Sequence, residues 1–191
     1  MARFTFHRGS LALNFAGTIG RRASHPEERL PDRAALAAWL REARLIPAGT
    51  PVTDANVTAA RELREAVARV GAAVVDSAPP LPGDVDRINA AAGGLPPLRL
   101  DPQTARGVRA GIDPVDAALA RVAEDAIAVF AERHADLVRC GLPECGALLL
   151  SNSNGPRRRW CTMDACGNVA KARAHRARRA SPGSRTAREA R

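Results

Sequence analysis

The chain has 191 residues, with 29 Lys or Arg against 20 Asp or Glu, and a formal charge of +9. The surplus is C-terminal: residues 1–139 hold 18 basic and 17 acidic side chains, whereas residues 140–191 hold 11 and 3. With 46% apolar and 26% charged residues, most of the chain can bury a core, which excludes wholesale disorder. No apolar run nears the ~20 residues of a membrane span, so the expectation is a soluble, cytoplasmic protein of one domain with a small appendage. Lys171 is the single lysine among the basic residues, and 40 residues are alanine; this fits the codon bias of a GC-rich bacterial genome and removes meaning from the choice of Arg over Lys. Aromatic residues make up 3% and tyrosine is absent, which argues against a broad platform for stacking single-stranded bases.

In chain order, Ser10 to Thr18 is ambiguous. Leu11, Leu13 and Phe15 alternate as in a strand, but Leu11, Phe15 and Ile19 also recur every four residues behind a capping Ser10, and helix is preferred. Leu36, Trp39, Leu40 and Ala43 share one face of a helix that can start at Asp32. Val57, Ala60, Leu63, Val67, Val70 and Val74 mark a longer helix over about 54–76, ended by the prolines between Ser77 and Gly83. A short helix over about 84–92 stops at Gly93-Gly94, and Leu98 to Leu100 reads as a short strand. Asp113-Pro114-Val115-Asp116 then opens what reads as the longest helix. Val115, Leu119, Val122, Ala126 and Val129 form one stripe on it. Ile127, Phe130, His134 and Leu137 form a second, which places His134 in the core rather than at a catalytic centre. The fold class is mainly α with minor β.

All four cysteines lie close together, Cys140, Cys145, Cys161 and Cys166, spaced as C-x4-C, fifteen residues, C-x4-C. Each pair ends in Cys-Gly, and a glycine beside a ligand lets the backbone turn tightly around a metal. Two such turns would set four thiolates at the corners of a tetrahedron, the closed geometry of structural Zn²⁺. A disulfide framework is the alternative, disfavoured in a reducing cytoplasm. Four protein ligands leave no position for substrate, so the metal's role is to fold a segment too small to fold alone. The expected order is a strand entering Cys140, a returning strand from Ala147, a loop, and a helix from near Asp164.

Arg157-Arg158-Arg159-Trp160 runs directly into Cys161, with only Glu144 and Asp164 as nearby acids. At about 100° per residue, Cys166, Ala170, Ala174 and Ala177 share an inner helix face, and Lys171, His175, Arg178 and Arg179 share the outer one, flanked by Arg173 and Arg176. Four thiolates and one Zn²⁺ add −2, which still leaves residues 140–191 near about +6. Such a surface attracts phosphate, with Asn168 and the arginines as candidate base readers. Trp160 is read as part of a miniature core.

At these residues the chain resembles the CGNR zinc-finger proteins, whose motif reads here Cys166-Gly167-Asn168-Val169, with Val169 in place of the motif arginine. Residues 138–179 are similar to that finger throughout, and residues 180–191 read as a flexible tail. Residues 1–137 are similar to the ABATE domain through Ser10-Leu11-Ala12-Leu13-Asn14-Phe15-Ala16-Gly17-Thr18, Leu36, Trp39-Leu40 and Ala60-Arg61-Glu62-Leu63-Arg64; Asn14 stands where the family usually has Asp, and Gly17 where it has Asn. The resemblance implies a bacterial transcription regulator that binds DNA or RNA, with a helical part that senses a small-molecule effector or mediates association, for instance as a homodimer. Asn14, Thr18, Arg21, Arg22 and Trp39 are the candidate effector-binding residues. The alternative is a protein-interaction module whose basic finger docks on an acidic partner protein. No phosphate loop, serine elbow or persuasive carboxylate pair suggests an enzyme.

Overall fold

The computed structural model describes residues 4–105, 107–108, 111–151 and 157–180; residues 152–156, within the expected loop, and 181–191, within the expected flexible tail, lie outside the described residues. Helix α1, Leu11–Ala16, forms because Ser10 is extended and its hydroxyl accepts from the Leu13 amide at 3.1 Å, while Asp125 accepts from the Ala12 amide at 2.8 Å. Two free amides are thereby satisfied. All residues from Ala12 to Ala16 are buried, and a helix enclosed on every side has no polar stripe to betray its period. The chain then makes a small hairpin, β1 (Ile19–Gly20) with β2 (Glu27–Glu28).

Helix α2, Arg33–Glu42, starts at Asp32, whose carboxylate accepts from the Ala35 amide at 2.8 Å. Helix α3, Asp54–Val75, opens on a capping box in which Thr53 and Asn56 each accept from the other's amide. Helix α4, Pro82–Gly93, begins slightly before the expected position, because Pro82 fits the first turn, where its missing N–H is no loss. Strands β3 (Arg99–Leu100) and β4 (Gly107–Val108) pair antiparallel. Helix α5, Pro114–Glu132, is capped by Asp113 as expected, but at 19 residues it is shorter than the 22 of α3.

That shortfall corrects the second stripe expected on α5. The helix ends at Glu132, His134–Asp136 form a 3-10 turn, and Leu137 starts a strand, so His134 and Leu137 are not on the helix and His134 is exposed rather than buried. The three-and-four spacing continues past the helix end, but strand pairing and the cysteine cluster beyond it fix the backbone there instead.

The main core joins Ala12 and Phe15 of α1, Leu36, Trp39 and Leu40 of α2, the expected stripe of α3, and Val115, Leu119, Val122 and Ala126 of α5. Helix α4 adds Ile88 and is pinned to α3 by a two-pronged ion pair from Arg69 to the buried Asp84, at 2.8 and 2.6 Å.

Strands β5 (Leu137–Arg139) and β6 (Leu148–Leu150) pair antiparallel, Leu137 opposite Leu150. All three residues of β6 are buried. Alternate side chains leave a strand on opposite faces, so Leu148 and Leu150 join Leu137, Leu13 and Val129 against the helical body, while Leu149 joins Val138 and the cysteines. Gly71 permits the approach: a Cβ there would lie 2.6 Å from Leu148 Cδ1. The Leu150 amide also donates to the Arg8 carbonyl at 2.8 Å, and Arg139 grips Asp76 with bonds of 2.8 and 2.7 Å. The hairpin therefore packs on the helical body as well as on the cysteine cluster.

Candidate metal centre and basic surface

Cys140 follows β5, Cys145 lies in the turn before β6, Cys161 follows the arginine run, and Cys166 sits in a π-helical turn, Met163–Gly167, capped by Thr162. Their four sulfur atoms all lie within 4.8 Å of one another. The separations of 3.6 Å for Cys145–Cys161 and 3.3 Å for Cys161–Cys166 approach the about 3.8 Å that tetrahedral zinc at about 2.3 Å per thiolate requires. They are far from the about 2.05 Å of a disulfide, and all four cysteines are free, so the disulfide alternative is set aside. The Cys161 amide points at Cys140 Sγ at 3.5 Å, an outer-shell contact suited to a thiolate. These residues fit zinc, held by Cys140, Cys145, Cys161 and Cys166 as a closed structural centre. The thiols of Cys145 and Cys161 bond to Cys140 and drive its sulfur toward the thiolate, whereas burial pushes the Cys166 thiol up to about 12.

The two Cys-Gly pairs are not equivalent. Gly146 is left-handed at φ +63°, and a Cβ there would press on Ala23 at 3.0 Å, so the tight turn is real. Gly167 lies in the π-helical turn and has no positive φ; its missing side chain makes room for Met163, 2.8 Å from where a Cβ would stand.

Helix α6, Asn168–Ala180, leaves this centre. Cys166 is buried and Ala170 half-buried, but residues 171–179 are all exposed. The expected inner face thus covers only the first turn: Ala174 and Ala177 face solvent, because the axis carries the helix away from the core and alanines offer little surface to hold it. Arg173 pairs with Glu144, tying the helix to the first knuckle. Lys171, His175, Arg176, Arg178 and Arg179 form no ion pair among the described residues. Asn168 Nδ2 turns back to the Asp164 carbonyl at 3.4 Å, and Val169, in place of the motif arginine, is 40% exposed.

The arginine run divides by side. Arg157 is exposed, and Arg159 is exposed with its guanidinium 4.7 Å from the ring centre of Trp160, which packs on the metal core as expected. Arg158 points inward. Its guanidinium donates to the Trp160 carbonyl at 3.0 Å and to the carbonyls of His7 and Cys161, and its amide donates to Ser151 Oγ at 2.8 Å. Arg158, a candidate nucleic-acid contact by sequence, is thus half-buried and serves as an internal tie. Replacing Arg158 by Ala is expected to lower stability by about 1.5–3 kcal/mol, the scale of a lost charge-assisted hydrogen bond. Arg157→Ala and Arg159→Ala should stay within about 0.5 kcal/mol of wild type; comparing the three denaturation midpoints checks this.

The candidate effector residues are mostly internal. Trp39 is fully buried, its ring 4.9 Å from Phe15 and 5.8 Å from Phe6. Asn14 accepts from the Arg8 amide at 3.0 Å, and Thr18 donates to the Phe15 carbonyl at 2.7 Å. Arg22 is paired with Glu65 and lines a void of about 50 Å³, room for little more than water. Arg21 is exposed, with Glu27 at 3.6 Å. These contacts correct the expected pocket around Trp39. A larger cavity of about 440 Å³ lies instead between α3, α4 and α5, lined by Leu63, Arg87, Ile112, Asp116 and Leu119 among others. No sequence signal marked it, because its walls come from three separate helices.

Among the described residues no helix is long and apolar enough to cross a membrane. Comparison with known families matches residues 9–133 to ABATE, described as "Putative stress-induced transcription regulator", and residues 137–179 to the CGNR zinc finger. Comparison with curated proteins finds no match. With most of its length matched in this order, the chain belongs to the ABATE family and carries a C-terminal CGNR zinc finger.

Proposed function

We propose that this protein is a non-catalytic, cytoplasmic bacterial regulator of transcription that binds nucleic acid through its zinc-held basic helix. The observation that carries the reading is α6, a helix fixed at one end by the metal centre, with residues 171–179 exposed and with Lys171, Arg176, Arg178 and Arg179 forming no ion pair among the described residues. A surface of this kind gains by releasing counterions from a phosphate backbone. Arg157 and Arg159 extend it, Arg173 contributes through its outer edge, and Lys171, His175, Arg176, Arg178 and Arg179 form the main contact. The helical body is the sensing or association module, and the 440 Å³ cavity is the entry point for an effector.

Titration of the purified protein with duplex DNA and with RNA at several salt concentrations tests the reading. Each phosphate contact should lower log K by about 0.9 per log unit of salt. Changing Arg176, Arg178 and Arg179 together to Gln is expected to flatten that slope by about 2–3 and to weaken binding similarly across sequences. Binding indifferent to salt or to the triple substitution refutes the proposal. Absence of binding to either nucleic acid at low salt favours docking on an acidic protein instead.

A further inference from the structure

Arg8 is a half-buried cation that pairs with no carboxylate among the described residues. Among the described residues its Nη1 is shielded from solvent and has no hydrogen-bond partner, and it makes no ion pair. A guanidinium left so inside a fold is strongly destabilising unless an anion is at hand. The backbone on either side is held firmly: the Arg8 amide donates to Asn14 Oδ1 at 3.0 Å, its carbonyl accepts from Leu150, and the His7 carbonyl accepts from Arg158. Its side chain crosses the space that a side chain at position 17 would occupy, since a Cβ on Gly17 would stand 2.1 Å from Arg8 Nε. Arg8 also lines a cavity of about 130 Å³ whose wall includes Cys145, Cys161 and Cys166.

Arg21 and Arg29 border the same cavity, but both face Glu27, at 3.6 Å each. Burial disfavours the Arg8 charge most, with Arg29 a like charge beside it, while Cys161, Cys145 and Cys140 act in the opposite sense. Zinc held by four thiolates carries a net charge of −2, and Arg158, which turns inward from within the finger, is engaged with the carbonyls of Trp160, Cys161 and His7. We propose that Arg8 is the outer-shell counter-cation of the tetrathiolate zinc centre, delivered from the N-terminal segment through the gap left by Gly17, so that metal and helical body hold each other in place. Arg8 is a positioning residue in this scheme and does not touch the metal.

The test uses the full chain, loaded with zinc for affinity and with cobalt for spectroscopy. Arg8→Gln is expected to lower zinc affinity about 10–100-fold in chelator competition, the usual effect of losing an outer-shell partner. It should also move the thiolate-to-cobalt charge-transfer band to lower energy, because a nearby positive charge stabilises the sulfur electrons. Arg8→Lys keeps the charge and should stay within about threefold of wild type with the band in place. Leu13→Ala loosens the seat of the hairpin without altering charge, and should leave the band where it is. An Arg8→Gln affinity within about twofold of wild type overturns the proposal, as does a band shift in Leu13→Ala equal to that of Arg8→Gln. If Arg8→Gln does not fold, Arg8→Lys decides: retention supports the proposal, and a loss beyond about tenfold overturns it.

Discussion

Chelation of zinc is expected to melt the finger, abolishing the helicity of α6 and exposing the β5–β6 hairpin. Among the described residues, the cluster around the cysteines contains only Ala147 and Leu149 as further buried apolar residues, with Val138, Leu142 and Trp160 partly buried beside it. At about 0.8 kcal/mol per buried CH₂ this core falls well short of the ordering entropy of its segment. Structural zinc contributes on the order of 10–16 kcal/mol in small fingers, so the metal decides whether the segment is folded. The effect should reach the helical body. Leu148 and Leu150 cover Leu13 and Val129, and their withdrawal uncovers apolar surface on α1 and α5. Cys166→Ser is expected to act like chelation. Circular dichroism and amide exchange at Leu149 and Leu150, with and without chelator, make the measurement. Full protection of those amides in protein shown to be zinc-free refutes the account.

Arg64→Ala should be strongly damaging to the helical body, at about 3–5 kcal/mol, the scale for breaking a buried ion pair. The Arg64 side chain is 3% exposed. It grips Glu28 with two bonds of 2.7 Å, reaches Glu65 at 3.0 Å, and lies 3.4 Å from Thr18 Oγ1. One guanidinium thus fastens the β1–β2 hairpin to α3. Arg61 stays near Glu28 and Arg22 stays on Glu65, which places the expectation toward the lower end of the range. Arg64→Met fills more of the space and should do less harm.

The pH dependence of this pair of proteins has a defined sign. Burial works against the Glu28 charge, but the hydrogen bonds from Arg64 and the Leu30 amide outweigh it and hold the carboxyl below the ordinary glutamate range. Burial also opposes the Glu65 charge and is outweighed by Arg22, then Arg64. Carboxyls with lowered folded values contribute stability above the unfolded value, and lose it as pH falls through the folded one. The advantage of wild type over Arg64→Ala should therefore be full at neutral pH and shrink below about pH 4.3. Urea midpoints of both proteins between pH 3 and 7 test this; a gap that widens on acidification contradicts the network.

Features that depend on a few adjacent residues were legible in the chain. Ser10, Asp32 and Asp113 cap helices because a side-chain oxygen needs to reach only two or three residues ahead. The stripe from Val57 to Val70 is a real buried face because one long helix lies against one core. The four cysteines announced their centre because ligand chemistry tolerates few substitutes. Periodicity failed where it ran past an element's end, as with His134, and where side chains had only distant partners to choose among. Nothing in Arg157-Arg158-Arg159 says which one turns inward, since the deciding acceptor is the His7 carbonyl at the other end of the chain. Trp39 suits a binding pocket and a core equally well by residue type; Phe6 and Phe15 decide for the core.

By itself, then, the sequence determined the helical class, the helix starts, the zinc ligands and the segment that holds the positive charge, all set by local hydrogen bonding, ligand chemistry and the surplus of arginine. Only the tertiary structure decided that the hairpin is shared between the metal core and the helical body, that α6 stands exposed beyond its first turn, and that Arg8 shares a cavity wall with Cys145, Cys161 and Cys166. Those outcomes depend on surfaces brought together from far apart in the chain. The free energy of such contacts comes from area, charge and fit between partners, which no single segment encodes.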